Sequence, residues 1–198
     1  MNPETDLVST NMVPTPSQTA GPFFAIELTT DEHCVRCVAG PEAKGERVSI
    51  TFRVLDGDGV PVNDAMLEIW QADPHGKYNH PDDQQPKELD PGWIGFGRLA
   101  SGADGTCVLE TVKPGGIGPN TEQAPHLAVA VFARGMLKQL YTRVYFAGDA
   151  ANESDPILRL IPAERRGTLL AQPEPGRPGH FLFDVRLQGD QETVFFDV

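Results

Sequence analysis

The chain has 198 residues, 39% of them hydrophobic, with 20 glycines, 18 prolines and a formal charge of −12. That length suits one domain with its own core, and so many turn formers favour short strands over long helices. A surface this acidic repels phosphate backbones, which argues against nucleic acid as a partner, and an anionic substrate would need a local Arg or Lys.

Residues 1–18 are polar, with Pro14 and Pro16 set against regular structure, and predict an extended arm lying against another subunit. They lack the basic start and apolar run of a secretion signal, and no apolar stretch in the chain approaches the ~20 residues of a membrane helix. The expected location is the cytoplasm, with no membrane partner. Cys34 and Cys37 form a single C-x-x-C, with Cys107 far off, which leaves a zinc or redox pair and plain reduced thiols both open. No role is assigned to residues 27–45.

"RVSITFRVL" alternates Val48, Ile50, Phe52 and Val54 with polar residues, a half-buried strand that ends in the Asp56–Gly59 turn. "DAMLEIWQAD" is the next strand, residues 79–97 read as a long loop, and "ADGTCVLETVKPGG" as turn, strand, turn. "HLAVAVFARG" and "LKQLYTRVYFAGD" read as neighbouring strands. Helical turns are expected only within 155–170, and "HFLFDVRL" and "ETVFFDV" close the chain as strands. The fold class is therefore all-β: a β-sandwich of about eight strands with an extended N-terminal arm and little helix. The arm spans 1–24 and contributes to a partner interface, and the sandwich spans 25–198.

Chemistry centres on "APHLAVAVFARG". Leu127, Val129 and Val131 share one strand face, and His126, Ala128 and Ala130 share the other. A histidine at 128 would complete a metal pair with His126, but alanine stands there. Tyr78, in the loop after "WQADPHG", and Arg134, at the end of the His126 strand, are further candidates. By themselves these read as a surface tyrosine and a surface ion pair, and none of the five histidines shows metal-ligand spacing.

Taken in order, "TPSQTAGPFF", "LEIWQADPHGKY", "GFGR", "ETVKPG", "APHLAVAVFARG", "TRVYFAGD" and "GDQETVFFDV" resemble the intradiol ring-cleaving dioxygenases, from about Thr15 to the C-terminus. The resemblance implies an enzyme of aromatic catabolism that opens protocatechuate with O2 at a non-haem Fe(III) held by two tyrosines and two histidines. The ligand positions fall at Tyr78, Ile117, His126 and Ala128, and a helper Arg position at Gln123. Isoleucine and alanine donate to no metal, so the resemblance implies the iron-free chain of a two-chain enzyme. The Fe(III) is expected on a partner beta chain, in a hetero-oligomer of alpha-beta units, with Tyr78 and His126 as remnants. This chain's share of the substrate pocket falls on Thr19, Ala20, Gly21, Pro22, Phe23 and Arg134, where Arg can receive the substrate carboxylate. Two alternatives stay open: a self-sufficient dioxygenase with substitute ligands such as His75 or His80, and a non-enzymatic transthyretin-like binding sandwich.

Overall fold

The structure, a computed structural model, describes residues 19, 21, 23–118 and 122–197. Most of the expected arm, with Ala20 and Pro22, therefore lies outside the described residues. Eight strands form: β1 (Arg47–Leu55), β2 (Met66–Gln71), β3 (Phe96–Ala100), β4 (Thr106–Val112), β5 (His126–Phe132), β6 (Leu140–Phe146), β7 (Leu170–Pro173) and β8 (His180–Arg186). Their spatial order is β3-β2-β5-β6-β7-β8-β1-β4. Short β7 pairs with β6 on one side and β8 on the other, and so joins the two layers. This is the all-β sandwich that the alternating patterns predict.

The layers close over a core of inward-facing residues. In β1 these are Val48, Ile50, Phe52 and Val54; β5 adds Leu127, Val129 and Val131. Phe52 meets Phe183 edge-on, with ring centroids 5.9 Å apart. Period-2 burial of this kind pins the register, because a one-residue slip would turn each apolar set to solvent.

Four local expectations are corrected. β3 begins inside the segment read as a loop, where the inward Gly97 breaks the apolar alternation. Its close packing explains the glycine: a Cβ there would lie 2.8 Å from Val38 Cγ1. β7 follows directly on the segment read as helical turns. Those turns do form, as α2 (Pro156–Leu160) and α3 (Ala163–Arg166), but a further short helix, α1 (Phe23–Leu28), was not anticipated. Finally, "ETVFFDV" makes only an isolated bridge between Phe196 and Tyr141. Its backbone hydrogen bonds are scattered over Arg186, the Thr168 and Thr142 hydroxyls, Tyr141 and others, so no ladder propagates.

All three cysteines are free. Cys34 and Cys37 donate to the Thr29 and Ala39 carbonyls. Burial pushes the Cys107 thiol up to about 12, which keeps it protonated and unreactive.

Candidate functional site

The loop carrying Tyr78 is built by two buried polar residues at the end of β2. Gln71 accepts from the Thr111 hydroxyl (2.9 Å) and donates to the Val112 carbonyl (3.1 Å), which ties β2 to the end of β4. Asp73, fully buried, accepts from the amides of His75 (2.9 Å), Lys77 (2.8 Å) and Asp90 (2.9 Å). The carboxylate thus satisfies amides that the tight turn leaves without strand partners. Tyr78 emerges with its ring stacked parallel on Trp70, 6.0 Å between centroids and 4° apart. Burial raises its phenol above the usual value, opposed by the charge of Arg143 and reinforced by that of Asp83.

The loop after β4 lies against this turn, with glycines at the contact. Gly76 has φ +78, and a Cβ there would run into the Gly116 carbonyl oxygen. Gly76→Ala is expected to cost about 2 kcal/mol or more, the left-handed penalty plus displacement of the loop. Urea denaturation beside the parent reads the loss, and an unchanged midpoint would mean the loops part freely. The contact brings Ile117 to the site, buried (9% exposed) and paired with Gln123 by two amide–carbonyl bonds of 3.0 Å.

His126 begins β5 and is 2% exposed. Its Nδ1 lies 2.8 Å from the Ala124 carbonyl oxygen, which can only accept, so Nδ1 carries the hydrogen and Nε2 the lone pair. Metal-binding histidines characteristically hold this arrangement, one ring N–H fixed by a carbonyl and the other nitrogen presented. Burial, then the charge of Arg143, lowers its pKa to about 4 against weaker opposing contributions from Ala124 and Asp155, so the ring is neutral at neutral pH.

Antiparallel pairing sets His126 opposite Tyr145 and Ala128 opposite Arg143. The Tyr145 ring packs 5.3 Å from His126. Its phenol is pushed up to about 12, chiefly by burial, with Arg143 acting against the shift and Asp155 with it. Arg143 Nη1 donates to Gln123 Oε1 at 2.8 Å and lies 3.4 Å from the Tyr145 hydroxyl. That hydroxyl donates to Asp155 Oδ1 at 3.3 Å, and Asp155 also accepts from the Ala124 amide at 2.8 Å. The polar connections run from Gln123 through Arg143, Tyr145, Asp155 and Ala124 to His126.

Tyr78, Ile117, His126 and Ala128, distant in sequence, are thus served by two touching loops and one strand. Arg134 lies elsewhere, beyond the opposite end of β5, its Nε bonded to Asp64 at 2.7 Å and its side chain 62% exposed. Gly21 and Phe23 are exposed, as is Thr19. His75 and His80 are exposed too, His80 lying edge-on to Trp70 at 6.3 Å. Sequence reasoning missed Trp70, Arg143, Tyr145 and Asp155. A signal existed for two of them: in "TRVYF", Arg143 and Tyr145 are two apart and so share a face.

The residues present do not fit a ferric ion. Tyr78 and His126 offer two donors, Ile117 and Ala128 offer none, and a guanidinium stands beside them. Among the described residues no group of three or more His, Cys, Asp or Glu is placed to hold a metal.

A family model described as Dioxygenase matches residues 19–189. The alpha chain of protocatechuate 3,4-dioxygenase from Burkholderia cepacia is 46% identical, with 96% of this chain and all of that one covered. The beta chain from the same organism is 35% identical over 79% of this chain and 70% of that one. A solved intradiol ring-cleavage dioxygenase from Tetranychus urticae shares the fold, with TM-score 0.61 at 19% identity, covering 87% of this chain and 93% of that one. This chain belongs to the intradiol dioxygenase family.

Proposed function

We propose that this chain is the non-iron-binding alpha subunit of protocatechuate 3,4-dioxygenase. That enzyme cleaves protocatechuate with O2 between its two hydroxylated carbons to give 3-carboxy-cis,cis-muconate, in the beta-ketoadipate route of aromatic catabolism. One pattern supports the reading above all: of the four positions where the resemblance places ligands, Tyr78 and His126 can donate to a metal, His126 with its Nδ1 held by the Ala124 carbonyl, while Ile117 and Ala128 cannot. A beta chain supplies the Fe(III), which makes the bound catechol reactive toward O2. This chain supplies positioning and excludes water. The complex works in the cytoplasm; among the described residues no helix is long and apolar enough to cross a membrane.

Substrate positioning falls to Thr19, Ala20, Gly21, Pro22, Phe23 and Arg134. Asp64 holds Arg134 by its Nε while most of the side chain is exposed, so its guanidinium can also receive a carboxylate. Gly21 supports the same reading. A Cβ there would meet nothing nearer than Phe23 Cδ2 at 3.8 Å, so no contact among the described residues calls for glycine, whereas a ligand's close approach would.

Iron content and visible absorbance, measured on this chain alone and co-expressed with a beta chain, test the assignment. A colourless chain alone and one ferric–tyrosinate site per heterodimer are expected. Iron and ring cleavage in the lone chain would instead direct attention to His75 and His80. Arg134→Ala is expected to raise KM for protocatechuate about 10- to 100-fold, the cost of a carboxylate without its charged partner. An unchanged KM in an intact complex removes Arg134 from the pocket.

A further inference from the structure

Two missing donors explain an incomplete ligand set, but the β5–β6 register adds an obstacle of another kind. Arg143 stands across from Ala128, the position from which a second imidazole would project. Its guanidinium is held by Gln123 at 2.8 Å and lies 3.4 Å from the Tyr145 hydroxyl. Gln123 is itself bonded to Ile117 by two amide–carbonyl bonds, so the guanidinium is tied to the Ile117 loop as well as standing opposite Ala128, and its charge is felt at Tyr78 and His126.

We propose that Arg143 is a built-in cation that excludes metal ions from this chain's site even when all four donors are restored. Arginine suits this role because its guanidinium keeps its charge and offers no lone pair to a metal; a lysine, protonated at neutral pH, would repel one in the same way. In a partly buried setting, two like charges a few ångströms apart repel strongly. Gln123 reinforces the arrangement: it stands where the family resemblance places a helper Arg, and here it accepts a hydrogen bond from Arg143. The positive charge that the resemblance places on the approach to β5 stands here on β6, opposite Ala128.

The proposal rests on the reading that the working iron belongs to the partner, but it is tested by differences between variants of this chain. The full-length chain is prepared as Ile117→Tyr/Ala128→His, and in that background with Arg143→Gln, Arg143→Met or Arg143→Lys. Each is loaded with ferric citrate; iron per chain and the tyrosinate-to-iron absorption are read, and urea midpoints identify the folded variants.

With Gln or Met at 143, about one iron per chain is expected; with Arg or Lys, below about a tenth. Gln and Met differ in polarity and match in charge, so either one, folded, suffices. The proposal is overturned if the double variant loads as fully as those carrying Gln or Met. It is also overturned if the Lys variant loads fully, since bulk rather than charge then matters, or if folded Gln and Met variants stay empty. Iron in the unaltered lone chain would sink the subunit reading instead, an outcome distinct from all of these.

Discussion

Asp155→Ala is expected to lower the free energy of unfolding by about 3–5 kcal/mol. The carboxylate is fully buried and accepts four hydrogen bonds. Oδ1 takes the amides of Ile157 (2.9 Å) and Leu158 (2.8 Å), capping α2, and the Tyr145 hydroxyl (3.3 Å). Oδ2 takes the Ala124 amide (2.8 Å). Alanine removes the cap, worth about 1 kcal/mol, and leaves the buried Ala124 amide and Tyr145 hydroxyl without an acceptor. Asp155→Asn separates the two roles. Its remaining oxygen can still cap α2, but its NH2 then faces the Ala124 amide, donor against donor. Denaturant titration should order the three proteins as parent, Asn, Ala. Because Ala124 also holds His126 Nδ1, the Asn variant should shift the His126 ring resonances as well. An Asp155→Ala protein as stable as the parent would mean that the network is not coupled to folding.

The second large effect is a loss of stability in mild acid. His126 titrates near 4 in the folded chain, mainly because it is buried, and near 6.5 when unfolded. Above pH 6.5 both states are neutral and the group has no effect on stability with pH. As the pH falls from 6.5 towards 4, the unfolded state takes up a proton that the folded state does not. Stability therefore drops across that window, by about 3 kcal/mol in all, and levels off below it. Other groups titrate at the acid end, so the informative quantity is the difference between parent and His126→Gln. Glutamine keeps a donor for the Ala124 carbonyl and has no titration of its own. The variant should show a clearly shallower fall in urea midpoint from pH 7 to pH 4; equal slopes would place His126 in contact with solvent.

How far each feature was legible depended on the range of the interactions that produce it. β1 and β5 were read correctly because one face of each is packed against the core, and burial on one face writes a period of two into the chain. β3 was hidden because its inward position is Gly97, where Val38 leaves no space for a side chain. The C-terminal "ETVFFDV" has strand composition, yet side chains such as Thr142 take the partners that a ladder needs. α1 formed in a segment with no buried residue, Phe23 and Ile26 being exposed and Phe24, Ala25 and Leu28 half-buried, so no core-facing pattern marked it.

The same division runs through the site. Whether a position can donate to a metal is a property of its side chain alone, so that Tyr78 and His126 can donate while Ile117 and Ala128 cannot was fully determined by sequence. The acidic net charge and the exclusions drawn from it were likewise matters of composition. That Arg143 stands opposite Ala128, and that Asp155 anchors the approach to β5, were decided by tertiary structure. Each depends on which residue a register or a chain crossing brings opposite another, and register is set by burial of whole strand faces rather than by any one residue.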